Sequence, residues 1–269
     1  MRRVSSRQND TVRSFRALAK EPDSSGARLL LDGAHLVHEA LATGLRFEIA
    51  AVASSRLDDG TEIRQLAETL ERRGVDVVVA SDAVFDAMSP VRTPSGIVAI
   101  VAREPSSAAR ICQQTGGLTL ATVDVQDPGN LGALVRVAEA GGVTGMLVCT
   151  AGRSGAAHPF SWRALRGSMG SALRMPLAGG ITASEAVDSL HAAGGRVVAA
   201  VPRDGRDPDD VDWSGQIGLV VGGEGPGLDE PLLAACDELV TVPMAPQVES
   251  LNVAAAGAIL IYAARRQRK

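Results

Sequence analysis

The sequence predicts an α/β protein of two domains, the second built on a mostly parallel sheet with helices on both faces. Three observations predict it. From residue 118 onward, short β-branched runs alternate strictly with helical stretches, the pattern of repeated βαβ units. A stretch rich in Pro, Ser and Gly near 103–117 reads as a break between two such regions. Aromatics make up only 3% of the chain and glycines number 29, so the core must come from Val, Leu, Ile and Ala in close helix–sheet contact. At 269 residues each half is long enough to bury a core of its own.

In the first region, residues 1–105, Leu29-Leu30-Leu31 reads as a strand, and Asp32-Gly33 leads into an amphipathic helix over 34–42. A strand follows at 49–53. Ile63, Leu66 and Leu70 share one face of a helix over 62–73. Residues 75–80 form a β-branched buried strand, 82–88 a short helix and 96–101 another strand. Residues 106–116 are expected as the linker, with room for one helical turn. In the second region, 117–269, the expected strands are 118–125, 145–149, 196–201, 217–221 and 238–242. The expected helices are 131–140, 162–172, 184–193, 230–235 and 251–266.

Charge and cysteine usage narrow the function classes. The net charge of −4 argues against an indiscriminate nucleic-acid binder. Its distribution is uneven. Arg2, Arg3, Arg7, Arg13, Arg16 and Lys20 face Asp10 alone in the first twenty residues, which makes this cluster the better candidate for phosphate contact. Arg265, Arg266, Arg268 and Lys269 at the other end fit RNA contact or a helix C-terminus equally well. Cys112, Cys149 and Cys236 have no metal or disulfide spacing, and His35 and His38 lack a partner pair, so no metal is expected. No run is long enough to span a membrane, and a cytoplasmic location is expected.

Three segments carry candidate chemistry. The first is Asp127-Pro128-Gly129-Asn130-Leu131-Gly132 with Arg136. Asn130 sits where a helix begins and suits an N-cap. Arg136 points away from the apolar face of Leu131, Leu134, Val135 and Ala138; from periodicity alone it is a solvated arginine. The second is the glycine-rich turn after a buried strand, Gly222-Gly223-Glu224-Gly225-Pro226-Gly227. It matches neither the dinucleotide nor the P-loop fingerprint. Gly222 lets a ligand approach the backbone. Glu224 suits a cationic ligand, or caps its own turn. The third runs from Val242-Pro243-Met244 to Ser250-Leu251-Asn252, where Ser250 suits a helix N-cap.

In this order and spacing the three segments resemble the motifs of the SpoU/TrmH family of RNA ribose 2'-O-methyltransferases, in the SPOUT superfamily. The first region resembles the small RNA-binding domain, related to kink-turn-binding ribosomal proteins, that precedes the catalytic domain in many relatives. The resemblance implies S-adenosyl-L-methionine (AdoMet) as cofactor, contacted by the main chain of Gly222, Val242 and Leu251. It implies Asn130, Arg136, Glu224, Ser250 and Asn252 as catalytic-site residues, with Arg136 foremost. Many relatives have Asn at the place of Gly223, so one side-chain contact is missing here. Arg166 and Ser168 resemble a segment that touches RNA or a partner subunit, though ordinary helix-surface residues fit too.

The resemblance further implies a trefoil knot formed by the loops after Val221 and Val242 and the final helix, a homodimer through that knot, and ribosomal RNA, foremost 23S, as substrate. Transfer RNA remains the alternative target. A knotted RNA-binding assembly factor without catalysis, and a nucleotide-binding α/β enzyme, are the competing classes.

Overall fold

The computed structural model describes residues 1–57, 61–152, 155–223, 225 and 227–268. Within it the chain forms two compact units.

The first unit comprises Met1–Pro105 with Phe160–Leu173. Its elements up to residue 105 are β1 (Arg2–Val4), α1 (Asp10–Lys20), β2 (Arg28–Asp32), α2 (Ala34–Ala42), β3 (Arg46–Ala53), α3 (Glu62–Arg72), β4 (Val77–Ala80), α4 (Asp82–Phe85) and β5 (Ile97–Ala102). The sheet order is β1-β4-β3-β5-β2. Strands β1, β4 and β3 run parallel, whereas β5 is antiparallel to both β3 and β2. Helix α1 starts at Asn9, whose side chain accepts the Thr11 N–H, and buries Val12, Phe15 and Leu18. Those three side chains join the core cluster with Val78 and Ile100.

The second unit comprises Ser106–Pro159 with Arg174–Lys269. The chain passes through α5 (Ala108–Cys112), β6 (Leu118–Val123), α6 (Pro128–Gly141) and β7 (Gly145–Thr150). It then crosses α7 (Trp162–Gly167) of the first unit and α8 (Ser171–Arg174). Next come β8 (Leu177–Thr182), α9 (Ala183–Ala192), β9 (Arg196–Ala200), β10 (Ile217–Gly222), α10 (Glu230–Ala234), β11 (Glu238–Val240) and α11 (Val253–Gln267). Six strands in the order β11-β9-β10-β6-β7-β8 pair in parallel throughout, as the β/α alternation requires.

Several sequence expectations need correcting. The segment read as a linker carries α5, whose Ile111 and Cys112 are buried in the second unit's core beside Leu147 and Val220. The single helix expected over 162–172 breaks into α7 and α8, because Met169 and Gly170 take positive φ of 50° and 92°. Strand β8 was not anticipated, since Gly179 and Gly180 interrupt its apolar pattern. Ser168 is fully buried and its hydroxyl donates to Leu165 O, which removes it from any RNA-facing surface. No helix among the described residues is long and apolar enough to cross a membrane.

Candidate active site

Helices α6 and α11 pack closely, and glycines make the approach possible. A Cβ at Gly257 would lie 2.5 Å from Leu134 Cδ2, and one at Gly141 would lie 2.1 Å from Ile261 Cγ2. This packing brings the first and third motifs together. Asn252 donates from Nδ2 to Asn130 Oδ1 at 3.1 Å, across 122 positions of sequence.

Both caps differ from expectation. The N-cap of α6 is Asp127, which accepts the Asn130 N–H at 2.7 Å, with Pro128 opening the helix. Proline is pre-set for that position, so the register starts three residues earlier than Asn130. The N-cap of α11 is Asn252, not Ser250; its Oδ1 accepts the N–H groups of Ala254 and Ala255 at 2.9 and 3.3 Å. Asn252 therefore uses its oxygen for the helix and its nitrogen for Asn130. Replacing a cap of this kind by alanine typically costs about 1 kcal/mol.

A cavity of about 450 Å³ lies at the carboxyl ends of β10 and β11. Gly222, Val242, Ser250, Leu251 and Asn252 all line it, together with Ala200, Pro202 and Met244. None of its described lining residues is titratable. The N–H groups of Val242 and Leu251, two residues that line it, have no acceptor among the described residues. The cavity is thus a largely apolar site, lined by glycines and aliphatic side chains, of a size suited to a cofactor. Glu224 lies outside the described residues.

The glycine turn is held from beneath. Gly223 donates its N–H to Val123 O at 2.8 Å. A Cβ on Gly223 would sit 2.1 Å from the Asp124 carbonyl oxygen. A side chain there would force the turn or the Asp124 carbonyl to shift, a constraint the motif spacing does not reveal. Asp124 is itself in the left-handed region, at φ 51°, and its Oδ1 accepts the Ala151 N–H at 3.0 Å. A Cβ on Gly222 would touch the Gly227–Leu228 backbone at 3.2 Å, so this glycine shapes the turn as well as the cavity.

Arg136 is on α6, six residues past Asn130, or about 9 Å along the helix axis. It is exposed and has no hydrogen-bond or ion-pair partner among the described residues.

The terminal cations divide into used and unused. Arg265 and Arg268 donate to backbone carbonyls of the second unit, and Arg266 pairs with Asp209, so these three arginines are tied into their own unit; Lys269 lies outside the described residues. At the N-terminus Arg2 pairs with Asp76 at 2.9 Å, Arg7 donates to Ala83 O, and Arg13 pairs with Asp10 at 3.0 Å. Arg3, Arg16 and Lys20 have no partner among the described residues. Arg13, Arg16 and Lys20 line an open cleft of about 510 Å³ beside Pro90. Elsewhere in the first unit, Asp32 is buried, accepts the Ser89 hydroxyl at 2.8 Å and lies 3.8 Å from Arg166. Burial raises the pKa of its carboxyl above the ordinary value, against the Ser89 bond and the Arg166 charge.

Residues 117–262 match the SpoU rRNA methylase family, and residues 30–106 match the RNA 2'-O ribose methyltransferase substrate-binding family. The chain belongs to the SpoU rRNA methylase family. It is accordingly an AdoMet-dependent RNA ribose 2'-O-methyltransferase. The Bacillus subtilis 23S rRNA (guanosine(2553)-2'-O)-methyltransferase is 33% identical over 264 residues, covering 97% of this chain and 98% of that protein. An uncharacterized tRNA/rRNA methyltransferase of Synechocystis is 32% identical over 98% of this chain and 94% of its own. Among solved structures, an AdoMet-bound rRNA methyltransferase from Sinorhizobium meliloti superposes with a TM-score of 0.82 at 28% identity, covering 98% of this chain and 97% of that one.

Proposed function

We propose that this methyltransferase acts on a ribose 2'-hydroxyl of 23S ribosomal RNA, as a homodimer, with AdoMet in the cavity beside Gly222, Val242 and Leu251. The observation that carries the site assignment is the Asn252–Asn130 bond, which joins the wall of the cavity to the helix bearing the unpartnered Arg136. The ribosomal target rests on the 23S-specific Bacillus relative, which aligns along nearly the whole chain.

AdoMet supplies an electrophilic methyl group. The protein's task is to align the hydroxyl for in-line attack and stabilise the oxygen as it loses its proton. A guanidinium stays protonated across ordinary pH and is a poor base. Arg136 is therefore assigned to grip an RNA phosphate through its planar fork and stabilise the developing alkoxide. The proton leaves to a phosphate oxygen or water. Asn130 and Asn252 hold the two motifs in register, and Ser250 shapes the pocket wall.

The dimer is assigned to the outer face of α11. Ile259 and Tyr262 stand there 44% and 47% exposed, a cost in water that a partner subunit would remove. The knot belongs to the same reading, through the loops after β10 and β11. Residues 1 to about 105 position the RNA, and the unpaired cations Arg16 and Lys20 on α1 supply phosphate contacts.

The test is methyl transfer from labelled AdoMet to ribosomal RNA and to transfer RNA, with the modified riboses mapped. Label at a 23S ribose 2'-oxygen supports the reading. Label confined to transfer RNA overturns the target. A protein that binds AdoMet yet methylates neither RNA is the assembly factor.

A further inference from the structure

Arg203 lies outside all three motifs, in the turn that follows β9. We propose that Arg203 is a positioning residue that clasps the loop 243–251 in its cofactor-competent shape, so that AdoMet affinity depends on a side chain outside the cavity wall. The proposal rests on the reading that the cavity holds AdoMet.

Arg203 Nη2 donates to the carbonyls of Pro246 and Val248, at 3.2 Å each. One guanidinium nitrogen carries two N–H bonds, so a single group serves both acceptors. The loop it grips runs between β11 and α11 without regular secondary structure, braced within itself by the Val248 N–H donating to Ala245 O at 2.9 Å. Both ends of that loop, Met244 on one side and Ser250-Leu251 on the other, line the cavity. Ala200–Pro202, immediately before Arg203, line it too. Arg203 thus joins two walls of one cavity.

Its base is rigid. Asp204 takes a positive φ of 62°. Gly205 donates its N–H to Thr241 Oγ1 at 2.9 Å, and that hydroxyl donates to Val201 O at 3.1 Å. The Arg206 N–H donates to Leu239 O, and the Thr241 N–H to Arg206 O, both at 2.9 Å. A Cβ on Gly205 would lie 2.7 Å from Thr241 Oγ1, so the turn sits flat against the end of β11. A fixed turn presenting a donor to an irregular loop reduces the shapes open to that loop. Apparent affinity scales with the fraction of molecules in the competent shape, so freeing the loop weakens binding without touching the ligand contacts.

The experiment compares wild type, Arg203→Ala and Arg203→Lys by AdoMet calorimetry, steady-state kinetics, melting temperature and hydrogen exchange. Arg203→Ala is expected to raise Kd and KM for AdoMet roughly tenfold, about one net hydrogen bond. At saturating AdoMet kcat should hold, melting should not move, and exchange should quicken within 244–251 alone. Arg203→Lys, able to reach one carbonyl at a time, should fall between. Unchanged AdoMet affinity in Arg203→Ala overturns the clasp, as does a rise in the RNA KM alone, which would make Arg203 an RNA contact. Parallel loss of affinity, kcat and melting temperature in both variants also overturns it, showing a general structural role. Wild-type protein that binds no AdoMet removes the cofactor reading beneath it, a failure separable from the others.

Discussion

The two units offer a ligand opposite kinds of surface. The second unit builds its cavity from glycines and apolar residues, with no titratable side chain among the described lining residues. The first unit presents charge near its N-terminus, with half of the cations there on internal partners and Arg3, Arg16 and Lys20 without one among the described residues. A backbone-built site tolerates almost no added atoms, whereas a charged surface can be adjusted one side chain at a time. Substitutions in the two regions should therefore differ in kind.

The sharpest break is expected at Gly223. A valine there would drive its Cβ into the Asp124 carbonyl, at 2.1 Å. Gly223→Val should abolish AdoMet binding by calorimetry. Retained affinity in a folded Gly223→Val protein would show that the turn does not shape the site.

Next in size is Arg136→Ala. Its side chain is off the packed face of α6, so melting temperature and AdoMet affinity should hold. Single-turnover methyl transfer should drop about 10²–10³-fold, the scale for losing one oxyanion-stabilising donor. Arg136→Lys keeps the charge without the fork and should rescue poorly. Equal losses in cofactor affinity and turnover would place Arg136 in the cofactor site instead.

A smaller and graded effect is expected on α1. Arg16→Ala with Lys20→Ala should leave AdoMet binding unchanged and weaken RNA binding. The slope of log K against log salt should become shallower by about 1.4–1.8, from two lost phosphate contacts. Arg13→Ala, already paired with Asp10, should change the slope less. An unaltered slope in the double variant would remove α1 from the RNA path. Charge substitution is a better probe here than truncation. Deleting residues 1–105 would strip Arg166 of Asp32 and Phe160 of Arg103, 4.6 Å away over the ring.

The smallest effect concerns Asp32. Its folded pKa is raised by burial above the unfolded value of about 3.9. The stability it contributes is complete below that value and is lost as pH rises through the folded pKa. Asp32→Asn should flatten the stability profile across this mildly acidic window. An identical profile in the variant would mean that Asp32 does not titrate as its burial implies.

Strand alternation made the parallel sheet legible, because buried parallel strands read as continuous β-branched runs. Strand β8 was hidden by its two glycines. Helix α1 was readable in principle: Asn9 as cap with Val12, Phe15 and Leu18 beneath. Its two arginines and terminal lysine overlay that apolar pattern with charge. The caps were misplaced by a few residues because Asp127-Pro128 and Asn252 compete with Asn130 and Ser250 for the same local signal. Local signals place helix starts only to within a turn. The meeting of Asn130 with Asn252 and the clash at Gly223 are long-range contacts. No spacing encodes them, so only the fold discloses them.

The central claim is that main-chain groups of the second unit hold the cofactor. Titration of AdoMet into isotope-labelled protein, followed by amide resonances, tests it most directly. The account predicts the largest shifts at Gly222, Val242 and Leu251, with the amides of α1 unmoved. Saturable binding that left those three amides unchanged and shifted others would contradict it.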